Sequence, residues 1–414
     1  MTAPTATDVI QLRVHSIAAG GDGVGRSEGL VVFVPRAAPG DLALVRLDSV
    51  KRFARGTLES VVEPSADRIA PPCRHYVVDH CGGCQLQHIR YEAQLEAKRI
   101  VVRDSLQRIA RADVSLPAIR PSEKQWRYRN KLTLAMRRSP DRWTMGLHPY
   151  DDPAAVFQLE DCPITDERVV ATWREIMAAA ELLPNAEELR GTVRLAGDEI
   201  VVLIRGGSEW SNAEAFFTRL PRASSLWWAP DGGGATTLFE RRPAAAGTSF
   251  GQVNELVGAA LHRYVVDRVS AREPRSVVDA YAGTGETAAA LAALGIRVTA
   301  IEVDREAANL CASRLPAGSR SVIGRVENVL TKALPAELVI LNPPRVGLHE
   351  RVTRALEAQH KGIRALVYVS CDPATLARDL ARLRSYRLVS VETFDMFPQT
   401  AHVETVCELE AVAA

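Results

Sequence analysis

Two residues near the end of the chain have the types and setting for covalent chemistry. Cys371, in VYVSCDPATLARDL, follows an apolar run of strand character and precedes a helical pattern whose first turn holds Asp372 and Pro373. Proline suits a helix's first turn, and the amide dipoles there favour a thiolate, the nucleophilic form of cysteine. Cys311, inside a helical pattern, and Cys407, in a terminal strand, read as core residues, the commoner fate of cysteine. In DMFPQTAHVETVCELE, Glu404 opens the terminal strand, with His402 beside it. A thiolate that has added to an electron-poor carbon needs a base to remove a proton before it can leave. Glu404 is the preferred base, and His402 reads as an orienting group.

A ligand loop lies upstream. Asp279-Ala-Tyr-Ala-Gly-Thr-Gly285 follows an apolar strand and opens the helical stretch TAAALAAL. Glycines such as Gly283 and Gly285 let backbone approach a ligand closely, and the helix start offers it a partial positive charge. Glu302, seventeen residues past Gly285, ends the next strand, where a carboxylate can accept hydrogen bonds from ribose hydroxyls. The spacing D-x-Y-x-G-x-G, rather than G-x-G-x-x-G, points to S-adenosylmethionine over a nicotinamide cofactor. Asn342-Pro-Pro-Arg345 ends a third strand as a rigid loop that can present carbonyls and one side chain. Asn-Pro-Pro also begins a motif by which amino-methyltransferases hold an exocyclic amine, the runner-up reading. With a methyl donor bound, the thiol and the base define a route to methylating carbon 5 of uracil. Addition at carbon 6 makes the weakly nucleophilic carbon 5 an enolate carbon, and the base then removes its proton.

A third group is made of cysteines. Cys73, Cys81 and Cys84 stand with seven and then two residues between them, and the CGGC turn can aim two thiolates at one centre. Cys162 is the best fourth ligand, with His75, His80 and His88 as minor alternatives. Four thiolates suit zinc or a [4Fe–4S] cluster, and the spacing is not that of paired zinc knuckles.

Around these groups the chain divides into three. Residues 9–62 read as short strands (LRVHSIA, GLVVFVP, DLALVRLDSV, ARGTLESVVE) of a small closed barrel, with GGDGVG as a turn rather than a phosphate loop. Residues 91–110 have helical spacing, and 113–250 are strand-rich. From 251 strands and helices alternate, which predicts a doubly wound parallel sheet. The division expected is 1–62, 63–250 and 251–414: an α/β, Rossmann-like methyltransferase domain behind a barrel and a β-rich central domain.

With a net charge of +1, the whole-chain balance does not announce a nucleic-acid partner. Residues 117–143 say more. Arg120, Lys124, Arg127, Arg129, Lys131, Arg137, Arg138 and Arg142, interleaved with Trp126, Tyr128 and Trp143, oppose only Glu123 and Asp141. That mixture is one that binds phosphates and stacks on exposed bases, and it equally fits a solvated strand pair with snorkelling arginines. No apolar run reaches the ~18 residues of a spanning helix. MTAPTATDVI lacks the features of a signal peptide, and three of the seven cysteines crowd into residues 73–84 as ligands do, so a cytoplasmic protein with no membrane and no obligate protein partner is expected.

SCDPATLARDL, NPPR, DMFPQTAHVETV and SFGQVN together resemble the RNA uracil-5-methyltransferase family over most of the chain. The resemblance implies Cys371 as nucleophile, Glu404 as proton-abstracting base, and Gln252, Tyr281, Glu302 and Asn342 as S-adenosylmethionine contacts. It implies a TRAM-type barrel at 9–62 and iron rather than zinc on Cys73, Cys81, Cys84 and Cys162. By the same analogy the four-cysteine set leans towards ribosomal (23S) over transfer RNA. Two positions depart from the family pattern: Asn342, where aspartate is usual, and Arg325, where aspartate or asparagine is usual, with Glu327 as a possible substitute acceptor. A radical methylthiotransferase would require Cys-x-x-x-Cys-x-x-Cys, which the sequence lacks.

Overall fold

The structure, a computed structural model, describes residues 5–140, 142–242 and 251–412. Asp141 and the Ser249–Phe250 pair of the SFGQVN motif lie outside the described residues.

Strands β1 (Val9–Ile17), β2 (Gly23–Ser27), β3 (Leu30–Val34), β4 (Leu42–Val50) and β5 (Ala54–Glu63) close a barrel in the order β1-β2-β3-β5-β4. Alternation puts Leu12, Val14, Val32, Val34, Val45 and Leu47 inside. Strand β2 is not apparent from sequence, because its glycines read as a turn. The turn ends at Asp22, and Gly25 continues as strand where a Cβ would come within 2.6 Å of Leu12 Cγ. Glycine there admits a core leucine, so its role is packing rather than chain reversal.

The central region is a six-stranded sheet of β6 (Lys131–Arg138), β7 (Trp143–Gly146), β8 (Glu188–Ala196), β9 (Glu199–Arg205), β10 (Ser225–Ala229) and β11 (Thr236–Glu240), ordered β11-β10-β9-β8-β6-β7. One face packs Leu134, Met136, Val193 and Val202 against Trp173 and Ile176 of helix Glu167–Ala178.

The last part is a seven-stranded sheet: β12 (Ser276–Ala280), β13 (Arg297–Glu302), β14 (Arg320–Ile323), β15 (Leu338–Leu341), β16 (Ala365–Ser370), β17 (Tyr386–Phe394) and β18 (Glu404–Ala411). Its order is β14-β13-β12-β15-β16-β18-β17. The first five in that order run parallel, and β18 is antiparallel to both its neighbours. Chain direction across the sheet reverses at β12, which opens a crevice at the carboxyl ends of β12, β13 and β15. The result is a mixed α/β protein with a closed five-stranded barrel.

Helix Tyr91–Ser105, followed by a π-helical turn over Leu106–Ala110, packs on this sheet, with Val102 and Leu106 sharing a core with Leu376 and Leu380. The same helix buries Lys98 against Asp395, Nζ to Oδ1 at 2.6 Å, and both are almost fully excluded from water. Lys98 also donates to the Phe397 carbonyl, and Tyr91 Oη donates to Asp395 Oδ2 at 2.8 Å. Removing one partner strands the other charge. Asp395→Ala should therefore cost roughly 3–5 kcal/mol, read as a lower midpoint in urea unfolding, whereas Lys98→Met with Asp395→Leu should recover most of the loss.

Candidate active site

Cys371 follows β16 directly and precedes helix Pro373–Leu380. Ser370 pairs with Thr405 across β16 and β18, so the next residues, Cys371 and Glu404, face each other at the end of two adjacent antiparallel strands. Glu404 is buried, and burial pushes its carboxyl up to about 7 against the opposing pull of Arg345. The half-buried Cys371 thiol is also raised, by burial first and by Glu404 next, while Arg345 holds it down. A backbone hydrogen bond at Cys371 also lowers it, in the sense expected of the helix start, but burial and Glu404 outweigh that. The helix N-cap is Asp372, whose Oδ1 accepts the Thr375 amide at 2.7 Å and whose charge adds to the rise at Cys371. Arg345, seen in sequence only as the end of NPPR, is the cation that serves both groups. A lone arginine after two prolines carries no signal of this beyond its motif.

His402 is held down to about 4 by burial first, then by Arg345 and Lys98. Its ring meets Phe397 edge-on at 5.8 Å. A neutral imidazole among cations fits the orienting role.

The crevice gathers four of the expected cofactor residues. Tyr281 (φ +66°) and Gly283 (φ +55°) turn the chain after β12. Gly283 N donates to Glu302 Oε2 at 2.8 Å, and Glu302 Oε1 accepts the Val303 and Asp304 amides. Asn342 N donates to the Ala280 carbonyl at 3.3 Å, bringing the β15 end beside the loop. Gln252 comes from elsewhere: it precedes helix Glu255–Ser270, and its carbonyl accepts from Asn130 Nδ2 at 3.0 Å. Asp279 Oδ2 is buried without a partner, and burial with the nearby Glu302 raises its carboxyl to about 7. Open space surrounds Gly283, with nothing within 4 Å of where its Cβ would stand. An unsatisfied acceptor beside open backbone suits a ligand that carries hydrogen-bond donors. Arg325 points outward, 3.8 Å from Glu327 Oε1, and the Glu327 charge reaches Tyr281.

Cys73, Cys84 and Cys162 share one small core with Tyr76 and Tyr128. The charges of Cys73, Cys81 and Cys162 all act on Cys84, whose thiol is raised mainly by burial, and burial pushes Cys81 up to about 12. All four are free thiols. Among the described residues, no three His, Cys, Asp or Glu side chains stand close enough to hold a metal ion. The histidines are engaged elsewhere: His75 with Asp79 and the Glu160 amide, His80 with Asp151, His88 with Tyr76 Oη.

The family described as tRNA (uracil-5-)-methyltransferase matches residues 317–412, which hold Cys371 and Glu404. An uncharacterized RNA methyltransferase of Thermosynechococcus vestitus is 32% identical, over 97% of each chain. Another, of Bdellovibrio bacteriovorus, is 31% identical over 98% of this chain and 96% of the other. The solved tRNA (uracil-54, C5)-methyltransferase of Pyrococcus abyssi, in complex with S-adenosyl-L-homocysteine, shares the fold. Its TM-score is 0.71 at 24% identity, over 97% of this chain and 100% of that one. These define an RNA methyltransferase. The chain belongs to the RNA uracil-5-methyltransferase family.

Arg345→Gln should move the pH midpoint of Cys371 alkylation by iodoacetamide about one pH unit higher, since it removes the cation that favours the thiolate. Peptide mass spectrometry at Cys371 reads this without any substrate, and Arg345→Lys should restore most of the rate.

Proposed function

We propose that this protein methylates carbon 5 of a uridine in RNA, with Cys371 as the nucleophile and Glu404 as the base that resolves the adduct. The observation that carries the reading is the meeting of Cys371, Glu404 and Arg345 at the end of β16 and β18. S-adenosylmethionine supplies the electrophilic methyl group. Gln252, Tyr281, Gly283, Glu302 and Asn342 would hold it, and the buried, unpartnered Asp279 Oδ2 supports a donor-bearing ligand there.

The Cys371 thiolate forms a bond to carbon 6, and the electron pair of the 5,6 double bond moves onto the carbon 4 carbonyl oxygen. Arg345 favours that thiolate electrostatically, against burial. The enolate returns its pair through carbon 5 to the methyl group, whose bond to the sulfonium sulfur breaks, so that S-adenosylhomocysteine would leave as the neutral thioether. Glu404 takes the proton from carbon 5, the sulfur–carbon 6 bond breaks, and the thiolate leaves. A carboxyl raised to about 7 is well matched to this step near neutrality, since enough is ionised and what is ionised is basic.

The same reading divides the chain at 1–62, 63–250 and 251–414, with the barrel as a TRAM-type RNA-binding unit and the last part as a Rossmann-like class I domain. Cys73, Cys81, Cys84 and Cys162 would hold a structural [4Fe–4S] cluster. Four unpaired cysteines, three of which act on the buried Cys84, support it, and binding would draw them closer together. Family analogy favours ribosomal over transfer RNA and a cytoplasmic setting. No helix among the described residues is long and apolar enough to cross a membrane.

Wild type with S-adenosylmethionine and RNA containing 5-fluorouridine should give a covalent adduct on a denaturing gel, because fluorine cannot leave carbon 5 as a proton does. Cys371→Ala should abolish the adduct, whereas methyl transfer that survives this substitution would turn the reading to amine methylation. Glu404→Gln should lower turnover about 100- to 10,000-fold and let adduct accumulate on ordinary uridine. Anaerobically purified protein should carry about four irons per chain, and Cys162→Ala should lose most of them.

A further inference from the structure

The open face of the central sheet carries charge that this mechanism does not use. On β6, β8 and β9, the face opposite Trp173 presents Lys131, Thr133, Arg190, Thr192, Arg194 and Arg205 around a groove of about 300 Å³. Val201 and Leu203 make an apolar floor, and the half-buried Trp227, paired with Leu203 on β10, extends the same face.

The strand register places like charges directly opposite one another. Lys131 faces Arg194, and Arg190 faces Arg205. Thr133 and Thr192 lie between them, hydroxyl to hydroxyl at 2.9 Å. Like-charged cross-strand pairs destabilise a sheet, and two of them lie on one face here. Among the described residues Lys131, Arg190 and Arg205 make no ion pair. The charges around Lys131 are Arg194, Arg129 and Arg205, and the carboxylate facing Arg194 is Glu255.

The groove runs towards the candidate active site. Arg194 lies over Gly251, where a Cβ would stand 2.6 Å from Nη2, one residue before Gln252. Arg129, next on the path, bridges to Asn254, and its charge reaches His402.

We infer that this groove binds the sugar–phosphate backbone of the substrate RNA next to the target nucleotide, with phosphates on the Lys131–Arg194 and Arg190–Arg205 pairs. An unpaired base would lie against Leu203 and Trp227. A polyanion turns each repulsive pair into a bridge, and phosphate contacts supply most of the sequence-independent affinity for nucleic acid. The inference rests on the RNA methyltransferase reading and deepens it.

The test combines Lys131→Glu with Arg190→Glu. Each substitution puts a carboxylate opposite an arginine, so the sheet should melt no earlier than wild type. Binding of a fluorescein-labelled oligouridine is followed by anisotropy over a salt series, with S-adenosylhomocysteine binding by calorimetry as the check on the cofactor site. Affinity for RNA is expected to fall at least about tenfold. The slope of log affinity against log salt should flatten by roughly 0.7 for each phosphate that the variant no longer neutralises. Cofactor-product affinity should be unchanged, and Arg190→Lys should behave as wild type. Unaltered RNA affinity and salt slope, or a wild type that does not bind the oligouridine, overturns the inference. So does polyglutamate binding as tight as the RNA and equally weakened, which would assign the face to an acidic protein. The 5-fluorouridine adduct separates the two readings. A wild-type adduct with unchanged RNA binding in the variant sinks only the groove, and lost RNA binding without any wild-type adduct sinks only the carbon-5 mechanism.

Discussion

An ammonium and a carboxylate taken out of water together, Lys98 and Asp395, hold the part of the chain on which the candidate site depends. Burying such a pair gains little by itself, but it is intolerant of being broken, and that intolerance fixes geometry. Asp395 begins the segment that leads from β17 into β18 and so to Glu404. Groups from far upstream hold the rest of it. Gln94 Nε2 donates to Gln399 Oε1, the Gln85 and Leu86 amides donate to the Gln399 carbonyl, and Tyr128 Oη donates to the Pro398 carbonyl. Gln399 sits at φ +70°, a conformation a non-glycine residue keeps only when its surroundings over-determine it. The cysteine-bearing turn at 81–84 leads straight into Gln85 and Leu86. Whatever orders those cysteines therefore acts, through two backbone hydrogen bonds, on the approach to Glu404.

At the site itself the constraint is electrostatic. Strand β18, inserted antiparallel between β16 and β17, sets Glu404 against Cys371, and both would be anions in their reactive forms. Burial raises the pKa of both, and the Glu404 charge raises the Cys371 thiol further. Arg345 offsets this for both, and among the described residues it forms no tight ion pair with either. Arg345, at the end of a rigid Pro-Pro loop, is the cation that acts on both of these groups. The neutral His402 adds no charge.

This arrangement is only partly legible in the sequence. Cys371 and Glu404 stand out because each ends or begins a strand, where periodicity stops and a polar residue needs a reason. The alternation past residue 250 likewise fixes strand and helix identity through simple patterning. Three things do not show. Strand β2 hides behind Gly23 and Gly25, whose lack of side chains serves packing. The rise in the Cys371 thiol comes from burial and from the facing Glu404, which spacing does not resolve. The role of Arg345 is a matter of which charges face one another in three dimensions, and linear order is silent on that.

The basic run at 117–143 shows the same limit from the other side. Much of it is neutralised in the fold: Arg120 by Glu392, Arg127 by Asp161, Arg137 by Glu188, while Tyr128 is buried beside the cysteines. Contiguity in sequence overstates the patch. Arg190, Arg194 and Arg205, none of them in that run, join Lys131 because β6, β8 and β9 are neighbours, and alternation turns all four to one side. Net charge averages such a face away against carboxylates elsewhere, which is how a chain at +1 can present a strongly cationic groove. The repulsion inside it is a folding cost carried by the hydrophobic face beneath, around Trp173. A sheet that keeps such a cost on its open side is stabilised most by a partner that brings many anions at fixed spacing, and a nucleic-acid backbone is that kind of partner.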